Sequence, residues 1–217
     1  METKTTYQRF LNLNTTELDG AYTDSLHIGT IEPNVSGGDV TFYDTYDDLR
    51  IAFSNFKIPT SNAPSFELFK QNTGGTSTGV YTYTFSPTEH AYFAVQLPHT
   101  WKEGSTIYPH LHWTIKGGST SGSKVQWQFE YTWADIGDIF GVTTVDNKEV
   151  SVSDGTDTDK HLMTNFTSID GTGYTASSML ICRLSRVSAS SDEYDRRSRV
   201  FEFDLHIINN RIGTSTI

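Results

Sequence analysis

Residues 108–133, YPHLHWTIKGGSTSGSKVQWQFEYTW, contain the alternation that predicts the fold. Every second residue is apolar in two runs, which a Gly/Ser-rich segment separates. The apolar positions are Pro109, Leu111, Trp113 and Ile115 in the first run and Val125, Trp127, Phe129, Tyr131 and Trp133 in the second. A period of two is typical of β-strands with one buried face. The stretch therefore predicts an antiparallel pair, in a register that allows Trp113 to lie opposite Trp127.

The other side of this predicted pair is polar and contains two histidines. In the same register His112 lies opposite Gln128, and His110 lies opposite Glu130. A carboxylate beside an imidazole favours its protonated form, so Glu130 is expected to raise the pKa of His110.

The last apolar run of the chain repeats the alternation. Residues 200–208 read VFEFDLHII. One predicted face consists of Phe201, Phe203, Leu205 and Ile207, and the other of Glu202, Asp204 and His206. If this strand joins the same sheet, its polar side extends the face that contains His110, His112 and Glu130.

The rest of the chain after residue 40 favours an all-β domain over residues 41–217. Short aromatic or β-branched runs recur about every ten residues and end at Gly, Pro or Ser, which is typical of sandwiches and barrels. We predict a two-sheet antiparallel β-sandwich of jelly-roll type. The chain lacks the Cys…Trp…Cys spacing of an immunoglobulin-like sandwich.

Residues 1–40 are polar and weakly patterned, and we predict that they form an N-terminal arm or anchor segment. Tyr7, Phe10, Leu11 and Leu13 form a short apolar cluster within it and are the predicted interface residues of the arm. This segment is too polar to fold alone, so it is either an arm docked on a neighbouring subunit or a mobile leader.

Composition excludes several classes of protein. The formal net charge of −10 leaves no basic surface for a nucleic-acid backbone, so no nucleic-acid partner is expected. The single cysteine, Cys182, rules out an internal disulfide framework and is expected to be a small buried residue. No secretory signal and no long apolar run is present, which predicts a soluble protein made in a cytoplasm without membrane insertion.

Four interpretations of the polar face remain open from the residues alone. It is the solvated outside of a sheet, a subunit interface, a cupin-like metal site or a carboxylate pair for glycoside cleavage. The candidate metal ligands are His110, His112, Glu130 and His206. Lys116 and Gly117 occupy the place where a cupin pattern requires a Glu, so we assign no metal, cofactor or catalytic residue. The carboxylate pair would be Glu130 with Glu202 or Asp204.

Several segments resemble poorly characterised structural proteins of tailed bacteriophages. The segments are AVQLPHTWKEG, PHLHW, FEYTWADIGDIFG, SSMLICRL and FEFDLHI, between about Ala91 and Ile208. The resemblance implies a virion component, such as a head decoration or fibre protein or a neck or tail piece. It transfers no catalytic residue.

These observations together predict a non-enzymatic virion protein that works by protein–protein assembly and needs no cofactor. Its expected partners are capsid, neck or tail proteins and copies of itself, with a trimer favoured. One alternative is a glycan-binding module, which requires Trp101, Tyr83 or Trp133 to be exposed. The other is a cupin-like metalloenzyme that uses His110, His112 and His206.

Overall fold

A computed structural model describes residues 34–36, 39–72, 78–119 and 122–213, and these are almost entirely β-structure. The strands are β1 (Asn34–Ser36), β2 (Asp39–Ala52), β3 (Ser65–Gln71), β4 (Gly79–Phe85), β5 (His90–Gln96), β6 (Tyr108–Ile115), β7 (Lys124–Ala134), β8 (Thr144–Ser151), β9 (Leu162–Asn165), β10 (Met179–Val187) and β11 (Ser198–Arg211). A 3-10 turn, Phe53–Asn55, follows β2. Candidate membrane-spanning helices are absent from these ranges.

The strands form two antiparallel sheets that pack face to face. The small sheet has the order β5-β10-β7-β8. The large sheet contains the order β4-β11-β6-β9, and β1, β2 and β3 extend it. From β4 onward the chain passes repeatedly from one sheet to the other, and the two four-stranded orders are those of a jelly roll. The predicted all-β, two-sheet antiparallel sandwich is confirmed.

Aromatic side chains from both sheets fill the space between them. The Phe129 ring of β7 lies 4.8 Å from the Phe203 ring of β11 and 6.4 Å from the Phe93 ring of β5, measured between ring centroids. Phe203 and Phe93 are 5.0 Å apart. Interlocked rings of this kind bury a large apolar area and fix the spacing of the sheets.

The predicted pairing of residues 108–115 with residues 124–133 is wrong. Both strands exist and the alternate residues are buried as expected, but β6 pairs with β11 and β9, whereas β7 pairs with β10 and β8. Trp113 and Trp127 meet across the core instead, edge to face, with ring centroids 5.5 Å apart. Alternation identifies which face of a strand is buried, and two facing strands of different sheets satisfy it as well as two paired strands do.

Strand β11 departs from strict alternation at one point. Val200 pairs with Trp113 and Glu202 pairs with the next residue of β6, His112, so Phe201 is an extra residue in β11. This β-bulge turns Phe201 to the outside of the sheet, where its ring lies 5.0 Å from that of Phe69. The prediction that Phe201 shares a face with Phe203 is therefore wrong.

Two other predictions concern single positions. Cys182 is buried in the core as predicted, and burial raises the pKa of its thiol. The predicted arm contacts Tyr7, Phe10, Leu11 and Leu13 lie outside the described residues. Within the predicted arm, residues 34–36 form β1 and residues 39–40 begin β2.

Candidate functional site

Polar residues of three neighbouring strands meet on the outer face of the large sheet. In the register of the sheet, Asp204 of β11 lies between Arg50 of β2 and His110 of β6. His206 lies opposite Asp48 of β2. Directly opposite residues share a face in an antiparallel sheet, so the register alone brings these side chains together.

The result is a continuous group that we call the histidine–aspartate cluster. Its members are His110, His112, His161, His206, Asp48 and Asp204, and it thus contains four of the seven histidines of the chain. Of these, His161 immediately precedes β9, the neighbour of β6.

Asp204 lies at the centre of the cluster and contacts two histidines. Its Oδ1 is 2.6 Å from Nε2 of His110, and its Oδ2 is 3.1 Å from Nε2 of His112. Nδ1 of His112 lies 2.8 Å from Nε2 of His161. The Asp204 side chain is only 4% exposed, so its carboxylate depends on these neighbours for stabilisation.

Asp48 links the remaining histidine to this centre. Its Oδ1 is 2.7 Å from Nδ1 of His206 and 4.0 Å from Nε2 of His110. Close contact with the Asp204 carboxylate raises the pKa of His110 above its ordinary value, although burial acts in the opposite direction. The predicted rise in the pKa of His110 is correct in direction, but Asp204 causes it and not Glu130.

An open cleft of about 700 Å³ borders the cluster. His112, His161 and Asp204 line one side of it, and the outward-turned Phe201 and Phe69 provide an apolar wall. Asp47, Asp48, Arg50, Asp159 and Glu202 complete the lining. The cleft therefore combines imidazole and carboxylate groups with aromatic surface.

Glu130 does not belong to this site. It lies on the outer face of the small sheet, directly opposite Arg183 of β10. Its Oε2 accepts a hydrogen bond from Arg183 Nη1 at 3.1 Å, and its Oε1 accepts one from the Thr143 hydroxyl at 2.7 Å. The prediction that Glu130 lies with the other candidate ligands is therefore wrong. The same placement contradicts the glycoside-cleaving pair, because Glu202 and Asp204 lie on the other sheet.

The aromatic residues proposed for glycan stacking are mostly inside the protein. Trp101 has no exposed surface, and Trp133 is 7% exposed and stacks on Tyr174 at 3.7 Å between ring centroids. Only Tyr83 is partly accessible, within a group of rings that includes the exposed Phe66.

Sequence reasoning missed two members of the cluster. Asp48 occurs in DTYDDL, a segment compatible with a helical turn, but it is part of β2. His161 precedes the four-residue strand β9, which has too little alternation to be recognised. Its position beside His112 depends on the pairing of β9 with β6, which no local sequence pattern predicts.

No family model and no curated protein matches the chain. Solved structures that resemble it include the xylanase 10B of Clostridium thermocellum, a CBM22-1–GH10 module structure in complex with xylohexaose. That match has 9% identity and a TM-score of 0.39, and it covers 75% of this chain and 28% of the other.

Two structures of infectious bursal disease virus also resemble the chain, each at 9% identity. The Gx strain gives a TM-score of 0.35 and covers 86% of this chain and 37% of the other. The Gt strain gives 0.30, with 87% and 47% covered. The chain spans less than half the length of each of these three structures, and at such low TM-scores the likenesses carry no functional argument.

Proposed function

We propose that this chain is a non-enzymatic structural protein of a virus particle, of the kind found on the heads, necks or tails of tailed bacteriophages. It acts by protein–protein assembly and forms a homo-oligomer. The observation that carries the proposal is an exposed apolar loop between β7 and β8. In this loop Ile136, Ile139 and Val142 are 84%, 93% and 96% exposed, and Phe140 is 44% exposed.

Several apolar side chains this close together are unfavourable in water unless another surface covers them. The loop leads into β8, which forms an edge of the small sheet. An unpaired sheet edge presents N–H and C=O groups with which another chain can pair. A second copy of the chain is the occupant that we propose for this surface. The segments between Ala91 and Ile208 that resemble phage structural proteins support the particle location.

Sedimentation velocity on the purified full chain tests the assembly. The wild type is expected to sediment as an oligomer, and a triple variant Ile136→Ser, Ile139→Ser, Val142→Ser is expected to shift towards the monomer. Asp138→Ser, in the same loop, is the matched control and should leave the oligomer intact. Substitutions at such exposed positions change the free energy of unfolding by at most about 0.5 kcal/mol, so both variants should fold.

Mass spectrometry of purified particles from a culture that produces this chain tests the location. The chain should co-purify with particles at a constant copy number. A wild type that is strictly monomeric and absent from particles would contradict the proposal.

A second candidate function is glycan binding, which one surface favours. Phe66 and Tyr81 are 55% and 45% exposed and stack at 5.6 Å between ring centroids, with Tyr83 beside them. Exposed aromatic faces can stack on sugar rings. Glycan-array binding that Tyr81→Ala abolishes and the control Tyr92→Ala, on the other sheet, retains would establish this function in place of pure assembly.

A further inference from the structure

The centre of the histidine–aspartate cluster has the composition of a metal site. His110, His112 and Asp204 each offer one ligand atom, and these three atoms lie within 4.8 Å of one another. Two ligands of one Zn²⁺ ion, each about 2.0–2.1 Å from the metal, are about 3.3 Å apart in a tetrahedral site. The 3.1 Å distance from Oδ2 of Asp204 to His112 Nε2 is close to this value, whereas the 2.6 Å distance from Oδ1 to His110 Nε2 is a direct contact that a bound ion would widen.

The buried carboxylate is a second, independent indication. Oδ1 of Asp204 has no hydrogen bond of good geometry among the described residues, but it lies 2.6 Å from Nε2 of His110 and forms an ion pair with it when His110 is protonated. The residue is 3% exposed. A buried carboxylate is costly without a positive partner, and either a protonated His110 or a bound cation offsets that cost.

The Nε2 atoms of both histidines face the Asp204 carboxylate, so an ion bound there would replace these direct contacts. Nδ1 of His112 faces Nε2 of His161 at 2.8 Å, and a proton on Nδ1 would be donated to that neighbour. Metal-binding histidines usually donate their second ring N–H in this manner, which fixes the tautomer and the ring orientation.

We propose that Nε2 of His110, Nε2 of His112 and the Asp204 carboxylate bind one divalent transition-metal ion of the Zn²⁺ class. His161 is a positioning residue for His112. Two imidazoles and one carboxylate select transition metals over Ca²⁺ and Mg²⁺, which prefer oxygen ligands only. Three protein ligands leave at least one coordination position for water or an anion, and this position faces the cleft lined by His112 and Asp204.

An alternative triad shares one member with this site. Asp48, His110 and His206 also offer ligand atoms within 4.8 Å of one another. In that group the Asp48 side chain is 44% exposed and 4.0 Å from His110, whereas the Asp204 side chain is 4% exposed. A buried carboxylate is the more strongly held ligand, so we place the ion at Asp204.

Calorimetric titration of the full chain with ZnCl₂, after EDTA treatment and removal of the chelator, tests the site. We expect saturable binding of one Zn²⁺ per chain and no binding of Mg²⁺ or Ca²⁺. The Co²⁺ form should show the visible absorption of a site with nitrogen and oxygen ligands. Absence of saturable Zn²⁺ binding to the folded wild type would overturn the proposal.

Variants locate the ion. His161→Gln should weaken Zn²⁺ binding by roughly 10- to 100-fold, as is typical for loss of an outer partner, and His112→Gln by more than that. His90→Gln, on the other sheet, is the matched control and should bind as the wild type does. Retained binding in His112→Gln together with loss in His206→Gln would assign the ion to the alternative triad and overturn our assignment.

Circular dichroism and melting temperature in EDTA show whether each variant folds. His112 is partly exposed, so His112→Gln should fold as the wild type does. A His112→Gln variant that folds and binds Zn²⁺ with unchanged affinity would also overturn the proposal.

Discussion

Arg186 and the histidine–aspartate cluster are two groups of ionisable side chains in opposite surroundings. Arg186 is enclosed in the core, whereas the cluster borders an open cleft. Arg186 follows the alternation of β10 into the core and has no exposed surface. Its Nη1 donates to the carbonyl oxygens of Phe85 and Arg196, and its Nη2 donates to the Tyr194 carbonyl and to Glu193 Oε1 at 2.6 Å. Burial lowers the pKa of Arg186, and Glu193 opposes this effect.

The difference lies in how completely each group is satisfied. Four hydrogen bonds to fixed acceptors hold the two Nη atoms of Arg186, and its Nε–H, which has no hydrogen-bonded partner among the described residues, is a donor and so cannot bind a cation. In the histidine–aspartate cluster, the ring nitrogens and the carboxylate oxygens of Asp204 converge beside an open cleft. The hydrogen bonds around Arg186 form a closed network, which stabilises the fold. The histidine–aspartate cluster is an open network, which can bind a cation.

The largest expected effect is at the closed network. Arg186→Met removes the guanidinium and leaves three backbone carbonyls and Glu193 without their donor. We expect a loss of about 3–5 kcal/mol in the free energy of unfolding, the usual cost of breaking a buried ion pair. Urea unfolding measures it, with the more exposed Arg183→Met as the control. A loss below about 1 kcal/mol would remove the distinction between the two networks.

Leu111→Ala tests the apolar layer that supports the open cluster. Leu111 has no exposed surface and lies between His110 and His112 on β6, with its side chain on the opposite face. The cavity should lower the free energy of unfolding by about 2–5 kcal/mol. Zn²⁺ should still bind to the folded variant, because the ligands lie on the other side of the strand. Equal stability of the variant and the wild type would show that the inner and outer faces are misassigned.

Tyr194→Phe removes one hydrogen bond beside the closed network. The buried Tyr194 hydroxyl donates to Asp154 Oδ1 at 3.0 Å, so its loss should cost about 1 kcal/mol at neutral pH. Burial raises the pKa of Tyr194 to about 12. Because this pKa is raised above its ordinary value of 10.0, the stabilisation is complete below pH 10 and is lost as the pH rises towards 12.

Unfolding curves at several alkaline pH values check this dependence. The difference in stability between the wild type and Tyr194→Phe should shrink above pH 10. A difference that stays constant to pH 12 would mean that the hydroxyl does not titrate in the expected range.

The smallest effect is expected at Glu130. Its bond to Arg183 is partly exposed, so Glu130→Gln should change the free energy of unfolding by no more than about 1 kcal/mol. Zn²⁺ affinity should be unchanged, because Glu130 lies on the small sheet. A drop in Zn²⁺ affinity in this variant would return Glu130 to the metal site and contradict the sheet assignment.

The alternation of apolar residues in the sequence was enough to predict which face of each strand is buried, but it did not predict which strands pair with each other. Leu111, Trp113, Trp127 and Phe129 are all in the core as their period of two indicates. The predicted pairing of β6 with β7 was wrong because the alternation of apolar residues in a strand is the same whichever sheet the strand joins. Asp204 and His206 were predicted on the polar side of β11, whereas the bulge at Phe201 could not be read from residue types.

The sequence by itself determined that this protein consists of β-strands with one buried face, because burial of one face requires local alternation, and it favoured the two-sheet sandwich that the structure has. Tertiary structure alone decided that His110 meets Asp204 rather than Glu130. That choice depends on which strands become neighbours, and contacts between residues as distant in the chain as His110 and Asp204 are set by the packing of the whole core. The candidate metal site is a product of strand order, and no run of neighbouring residues specifies it.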